Sequence, residues 1–488
     1  MPAANGGFEA RHVNRKHFWS ALLCGATLIA PAASFSAADI VQVWVTTPDK
    51  SRLLARGSDP TVGTEDARAT RIDIDSERRY QEIVGFGAAV TDASAWLIQT
   101  KLNRRQRAAL LQELFGRDRN GLGLSLTRIS IGASDFSRSH YSLDDPPDGA
   151  PDPNLTHFSI EPHRGELLPV LRAALAINSR LRIIASPWSP PGWMKDSGRM
   201  IGGRLIESAQ PAFANYLVRF VDAYAAEGVP LFALTLQNEP NFEPPDYPGM
   251  KLEPRERARI IGEFLGPMLA QRRAPPVILD WDHNWDHPES PLAVLADPKA
   301  ARFIAGVAWH CYEGEVAAQK PVHDAHPDKD AYLTECSGGE WEPRWEPSLR
   351  WFTRNLIIGS TRGWSRGVVL WNLALDEQHG PRAGGCTDCR GVVTINSNTG
   401  AITRNVEYYV LAHASRFVRP GAHRIESTTG VEGLESVAFR NVDDESVVVI
   451  VLNDAQEQRR FSVHRAGRSF AYTLPAGAVA TFTWRTKR

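Results

Sequence analysis

Two glutamates stand where short β-rich runs end. One lies in Thr235-Leu236-Gln237-Asn238-Glu239-Pro240 and the other in Tyr332-Leu333-Thr334-Glu335-Cys336. Two carboxyl groups held about 5–5.5 Å apart break a glycosidic bond in two steps. One attacks the anomeric carbon, and the other protonates the leaving oxygen. A lone glutamate at the rim of a sheet is most simply half of a salt bridge. Two at strand ends, one preceded by an amide that can bond a sugar hydroxyl and followed by a proline that stiffens its turn, point to this chemistry instead.

Other strand ends are crowded with residue types that hold sugars. Arg128 is followed by Asp135, and a later run leads into Pro187-Trp188-Ser189-Pro190-Pro191-Gly192-Trp193. Further along come Asp280-Trp281-Asp282-His283, Trp309-His310-Cys311-Tyr312 and Trp371-Asn372. Strand period two puts His310 and Tyr312 on one face. Sugars offer apolar ring faces edged with hydroxyls, so their sites pair aromatic platforms with carboxylates and amides. One tryptophan would be read as core; several at successive strand ends favour a carbohydrate cleft. His163, His283, His287, His310 and His379 show neither HxH nor HExxH spacing, so neither a metal nor another cofactor is expected. Cys386-Thr387-Asp388-Cys389 reads as a small-loop disulfide, two free thiols or half a zinc site, and no second Cys/His pair at ligand spacing accompanies it.

Eight candidate strands must position these residues: Ile83–Ala89, Leu124–Ser130, Arg182–Ser186, Phe232–Gln237, Val277–Asp280, Val307–Tyr312, Tyr332–Cys336 and Gly367–Trp371. Helical patterns separate them. Asn103 can cap a helix with Ala108, Leu111 and Phe115 on one face, and Gly116 can stop it. Phe213, Tyr216, Leu217, Phe220, Val221 and Tyr224 repeat the pattern. Eight is the number that closes a (β/α)8 TIM barrel, whose active site lies where the strands end. An open doubly wound sheet is the alternative, but Gly85-Phe86-Gly87 lacks the third glycine of a dinucleotide loop.

From about Tyr409 the helical period disappears and short strands take over: Val437–Arg440, Val447–Leu452, Arg460–His464, Phe470–Leu474 and Val479–Trp484. This tail reads as an accessory β-sandwich. Val41–Val45 alternates cleanly and should pair with it, because a lone ribbon is marginal in water. The expected organisation is a signal peptide over residues 1–38, sandwich strands over 39–80, the barrel over 81–408 and the sandwich over 409–488. Arg11, Arg15 and Lys16 precede an apolar run from Phe18 to Phe35, and Ser36-Ala37-Ala38 supplies small residues for cleavage after Ala38. Export to the periplasm or medium is expected, with no transmembrane anchor left after removal. A net charge of −1 over 488 residues, without a basic stripe, argues against nucleic-acid partners.

These segments resemble glycoside hydrolase family 30, the family of glucosylceramidases, β-1,6-glucanases and related β-glycosidases. The matching pieces begin at Gly85-Phe86-Gly87-Ala88-Ala89-Val90-Thr91-Asp92-Ala93 and continue with Arg128 through Asp135-Phe136-Ser137 and Ala185-Ser186-Pro187-Trp188. Leu236 to Pro240, Trp309 to Tyr312, Thr334-Glu335-Cys336 and Trp371-Asn372-Leu373-Ala374-Leu375 follow in family order. The resemblance implies that Glu239 is the acid/base and Glu335 the nucleophile, so Glu239 should start protonated while Glu335 is ionised. It implies that Asn238 contacts the sugar 2-hydroxyl, that Asp135, Trp188 and Trp371 surround the terminal sugar with Asn372 adjoining, and that Arg128, His310 and Tyr312 flank the two carboxylates. Tyr247 is the nearest match to an aromatic of the aglycone side, at a different spacing. Thr91-Asp92-Ala93 resembles the glucosylceramidase and β-glucosidase branch. The implied activity is retaining hydrolysis of β-linked glucosides such as glucosylceramide. β-1,6-Glucan and β-xylosides or β-fucosides are the alternatives within the family. A non-catalytic carbohydrate-binding barrel is the alternative outside it, and such a relic would be expected to have lost one carboxylate.

Overall fold

The computed structural model describes residues 40–63, 69–118 and 120–485, so the expected signal peptide lies outside the described residues. Eight parallel strands close into a barrel: β1 (Gly85–Ala88), β2 (Leu126–Ile131), β3 (Arg182–Pro187), β4 (Ala233–Thr235), β5 (Val277–Asn284), β6 (Ile304–His310), β7 (Asp330–Glu335) and β8 (Ser365–Leu370). Every strand lies beside its neighbours in sequence, and β8 closes on β1. The Gly-Phe-Gly of β1 serves packing. A Cβ on Gly87 would sit 1.7 Å from the Leu126 carbonyl oxygen, so only glycine lets β1 and β2 approach this closely.

The helices between the strands bury the faces that their spacing marks. Asn103 caps Arg104–Phe115 reciprocally with Gln106, and Leu111 and Phe115 are buried there while Ala108 is exposed. Gln210–Ala226 buries Phe213, Tyr216, Leu217, Phe220, Val221 and Tyr224. The helix Val406–Ser415 runs straight through Tyr409, where the helical period fades in the sequence. All of its residues except Tyr409 are buried. A helix wrapped on every side has no polar stripe to reveal it. The first sandwich strand of the tail begins only at His423.

The accessory sheet has nine strands. Gln42–Thr46 pairs antiparallel with Val479–Arg485, placing Val43 opposite Phe482. The long strand Thr70–Glu82 serves both layers, pairing through Ile72 with Val463 and through Ile74 with Ser427. The two ends of the described residues therefore share one sheet. One of its interior strands, Ser446–Asn453, is buried throughout. Val447, Val449 and Val451 face the sandwich core, while Val448, Ile450 and Leu452 join the barrel's hydrophobic cluster. Burial on both faces explains why this strand reads as an unbroken apolar run. At the same joint, the ring of His413 is held between the hydroxyls of Thr46 and Thr481, each at 2.8 Å. Burial pushes its pKa down to about 3, so the ring is neutral.

Two disulfides are present, Cys311–Cys336 and Cys386–Cys389. The second settles the CxxC as a small-loop bridge. No helix among the described residues is long and apolar enough to cross a membrane.

Candidate active site

β4 is short, and the chain beyond it is pinned by its neighbours. The Asn238 amide donates to the Pro187 carbonyl at 2.8 Å, and the Glu239 amide to the Asp282 carbonyl at 3.0 Å. Glu239 itself sits in the left-handed region with φ 48°. Such a conformation costs about 1–3 kcal/mol and persists only where its surroundings impose it. Glu335 arrives as the last residue of β7.

The guanidinium of Arg128, on β2 and fully buried, reaches three acceptors. It donates to Glu335 Oε2 at 2.5 Å, Asn238 Oδ1 at 2.7 Å and Asp282 Oδ2 at 2.7 Å. The Tyr312 hydroxyl donates to Glu335 Oε1 at 2.9 Å. His310 lies 3.0 Å from Glu239 Oε1 through Nδ1 and 3.0 Å from Asp282 Oδ1 through Nε2. Glu239, His310 and Glu335 each offer an atom within 4.8 Å of the others. This carboxylate spacing is that of a direct nucleophile and acid pair; an inverting pair must stand about 6.5–9.5 Å apart to admit water. The same three atoms form a set able to hold a cation, and Arg128 and His310 supply positive charge there from the protein itself.

Asp282 is the hub that sequence reasoning left out of the site. Besides Arg128 and His310, it accepts from Ser186 Oγ at 2.7 Å, Thr235 Oγ1 at 2.8 Å and Thr334 Oγ1 at 2.6 Å. A bulge in β5, with Trp281 and Asp282 at φ 79° and 53°, turns this carboxylate toward the barrel axis. The available signal was a set of small hydroxyls near the ends of β3, β4 and β7, where a packed barrel otherwise carries branched apolar residues.

Trp188 and Trp371, just past β3 and β8, stack at 5.1 Å with planes 20° apart. The Arg128 guanidinium lies 4.7 Å from one ring and 5.6 Å from the other. Asp135 is buried with Oδ1 lacking a protein partner. Burial and the Glu335 charge push its pKa up to about 8. Asn372, at φ 52°, spends its carbonyl on the Thr91 hydroxyl, and its buried Nδ2 has no protein partner. Tyr247 packs partly buried against the cluster that holds Trp188 and Trp371.

Charge in this cluster departs from the sequence expectation at both glutamates. Burial opposes a cation on His310, but the Glu335 charge and the hydrogen bonds to Asp282 and Glu239 outweigh it and push its pKa up to about 9. Asp282 stays ionised: burial raises it, but the Arg128 charge and the His310 bond hold it well below the carboxylate range. Burial raises Glu239 too, yet the His310 bond and the nearby cations bring it below its usual value. Between these two groups the proton therefore rests on the imidazole rather than on Glu239. Burial, helped by the Glu239 charge, leaves Glu335 above its usual value although His310 and Arg128 pull against it.

The model of the glycosyl hydrolase family 30 TIM-barrel domain matches residues 83–418, and that of the family's β-sandwich domain matches residues 421–482. The chain belongs to glycoside hydrolase family 30. It is 33% identical to the endo-1,6-beta-D-glucanase neg1 of Aspergillus fumigatus over 447 residues, 86% of this chain and 88% of that protein. It is 31% identical to the mouse lysosomal acid glucosylceramidase over 451 residues, 85% and 83% of the two chains. The solved endo-beta1,6-glucanase BT3312 superposes with a TM-score of 0.83 at 30% identity, covering 92% of this chain and all of that one. This family 30 chain is thus a glycoside hydrolase.

Asp282 yields a stability prediction for this family 30 barrel. Replacing it with alanine leaves Arg128 and His310 buried with one fewer counter-charge. Removing one partner from a buried ion pair costs about 3–5 kcal/mol. Denaturant unfolding of Asp282→Ala should show a loss of that size; a loss below about 1 kcal/mol, within the range of a surface pair, would contradict the hub assignment.

Proposed function

We propose that this chain is an exported, retaining hydrolase of β-1,6-linked glucan, with Glu335 as nucleophile and Glu239 as acid/base. The observation that carries the mechanism is the approach of the two glutamates within 4.8 Å, each with its own partners. Glu335 attacks the anomeric carbon. The proton passes first from His310 to Glu239 across 3.0 Å and then from Glu239 to the leaving oxygen as the glycosidic bond breaks, which leaves Glu239 ionised. Water then gives its proton to Glu239, attacks the anomeric carbon and frees Glu335, so configuration is retained. Asp135 Oδ1 and Asn372 Nδ2 supply hydrogen-bonding groups for the sugar, Trp188 and Trp371 its apolar platform, and Asn238 its 2-hydroxyl contact. The glucanase relatives favour glucan over glucosylceramide. The export reading rests on the basic and apolar N-terminus, and amino-terminal sequencing of the mature protein should begin at Asp39.

Digestion of soluble β-1,6-glucan followed by proton NMR should show the β-anomer of the new reducing end first. An α-anomer appearing first, or hydrolysis of glucosylceramide without glucan, would overturn this reading.

The pH dependence follows from the same contacts. His310 keeps its proton below about pH 9 and loses it above. Activity should fall on the alkaline side as this proton is lost, and on the acid side as Glu335 is protonated. In His310→Asn the proton must ride on Glu239 alone, a carboxyl that titrates below the imidazole. The alkaline limb of kcat/KM should then move to lower pH. An unmoved limb would separate His310 from the acid.

A further inference from the structure

Glu335 stands where the backbone pairing of the barrel gives out. On one side, β7 pairs with β8 only as far as Leu333, two residues short of Glu335. On the other, Leu333 stands opposite Trp309 and Glu335 opposite His310, so Thr334 is an extra residue on β7. A bulge of this kind disrupts the hydrogen-bonded ladder locally. β6 and β7 then end, at His310 and Glu335 themselves.

The next residue on each strand is a cysteine, and the two are joined as Cys311–Cys336 with Cα atoms 5.3 Å apart. The bridge takes hold of the two strands where their hydrogen bonds stop, and both of its residues are buried. Three of the residues that flank it in sequence belong to the site: His310, Tyr312 and Glu335. Tyr312 is held at both ends, its amide donating to Asn284 Oδ1 at 3.1 Å and its hydroxyl to Glu335 Oε1 at 2.9 Å. The Cys336 carbonyl accepts from the Trp371 amide at 2.8 Å, which ties the sugar platform to the same point.

We infer that the Cys311–Cys336 bond is a positioning element for catalysis, holding the Glu335 carboxylate at its working distance from His310 and Tyr312. The inference rests on the proposed hydrolase reading. A bond that only steadied the fold, by linking residues 25 apart, could cross β6 and β7 at any level. This one crosses where His310 and Glu335 leave the sheet. Their spacing has an electrostatic consequence. Burial works against a cation on His310, and among the groups that oppose burial the Glu335 charge acts most strongly, with Asp282 and Glu239 beside it. The rings of His283 and Tyr312 also face the imidazole, with centroids 6.2 and 6.1 Å away.

The test uses the full chain carrying Cys386→Ala and Cys389→Ala, in which Cys311–Cys336 is the remaining bridge among the described residues. One sample is prepared in dithiothreitol, which keeps both thiols reduced, and another is oxidised with glutathione disulfide. Thiols are counted after unfolding. On 4-nitrophenyl β-glucoside the reduced form should have a kcat about tenfold to a hundredfold lower, the cost of misplacing reacting groups by about 1 Å. KM should change little, because Asp135, Trp188 and Asn238 seat the sugar from other strands. The alkaline limb should move to lower pH, and reoxidation should reverse both effects. Cys311→Ala/Cys336→Ala in the otherwise wild-type chain should reproduce the reduced form. A lower thermal midpoint with kcat and the limb unchanged makes the bond a stability element and overturns the inference. So does a fall in kcat with the limb unmoved, which is general loosening, and so does a chain that cannot fold without the bond. If no form hydrolyses a β-glucoside, the hydrolase reading fails separately. The His310 pKa, read by NMR of the labelled ring, then still decides: it should be lower in the reduced form, and equal values in both forms overturn the positioning role.

Discussion

Glu335→Gln should lower kcat toward aryl β-glucosides by on the order of 10⁴–10⁶, the range seen when a nucleophile that works as part of a unit is removed. Glutamine keeps the volume and can still meet Tyr312, but it cannot form the ester through which the two-step reaction passes. The stability of the variant should change little by comparison. Arg128 loses one of its two carboxylate partners but keeps Asp282 and the Asn238 carbonyl. Treating the wild-type chain with an activated 2-fluoro glucoside and mapping peptides by mass spectrometry should place the adduct on Glu335. Label on another carboxylate, Asp282 or Asp135 included, would reject the assignment. The companion variant Glu239→Ala should regain activity with azide on activated aryl substrates and give a β-glycosyl azide; an α-azide would reverse the roles.

Removing either end of the chain should cost the whole fold. Truncation before Val479 takes away a strand that pairs with both Gln42–Thr46 and Ser446–Asn453. Truncation at Arg79 from the other end removes Gln42–Thr46 and most of Thr70–Glu82, the strand that links the two sandwich layers. Val43, Val45, Phe482 and the apolar face of Ser446–Asn453 then meet water. Each large side chain so exposed forfeits about 1.5–3 kcal/mol. A few of them equal the total stability of a typical domain, about 5–15 kcal/mol. The barrel is affected too, because Val448, Ile450 and Leu452 belong to its cluster and His413 loses a threonine. The expected outcome is insoluble protein, although Glu239 and Glu335 are both retained. A soluble, active truncation that melts with the full chain would show that the barrel stands alone.

Much of this was legible in the residues. All eight barrel strands appear as β-rich runs, since a parallel strand covered on both faces is apolar along its length. Glu239 and Glu335 stood out as candidates because barrel chemistry sits where strands end. The sharing of one sheet by both termini followed from Val41–Val45, whose alternation demands a partner. Less legible was Val406–Ser415, which lacks a polar face.

What the sequence determined by itself is therefore the inventory: strands, helices, the two carboxylates and the aromatics around them, each written in local pattern. What only the tertiary structure decided is how those residues act on one another. Arg128 and Glu335 are 207 positions apart, and the closing of β8 on β1 brings them to 2.5 Å. The place of Asp282 among Arg128, His310 and Thr334, and the proton that this carboxylate and Glu239 draw onto His310, depend on the same closure. Periodicity records which face of an element is buried. Hydrogen bonds, charge and proton position depend on distances between elements, and those exist only once the barrel is closed.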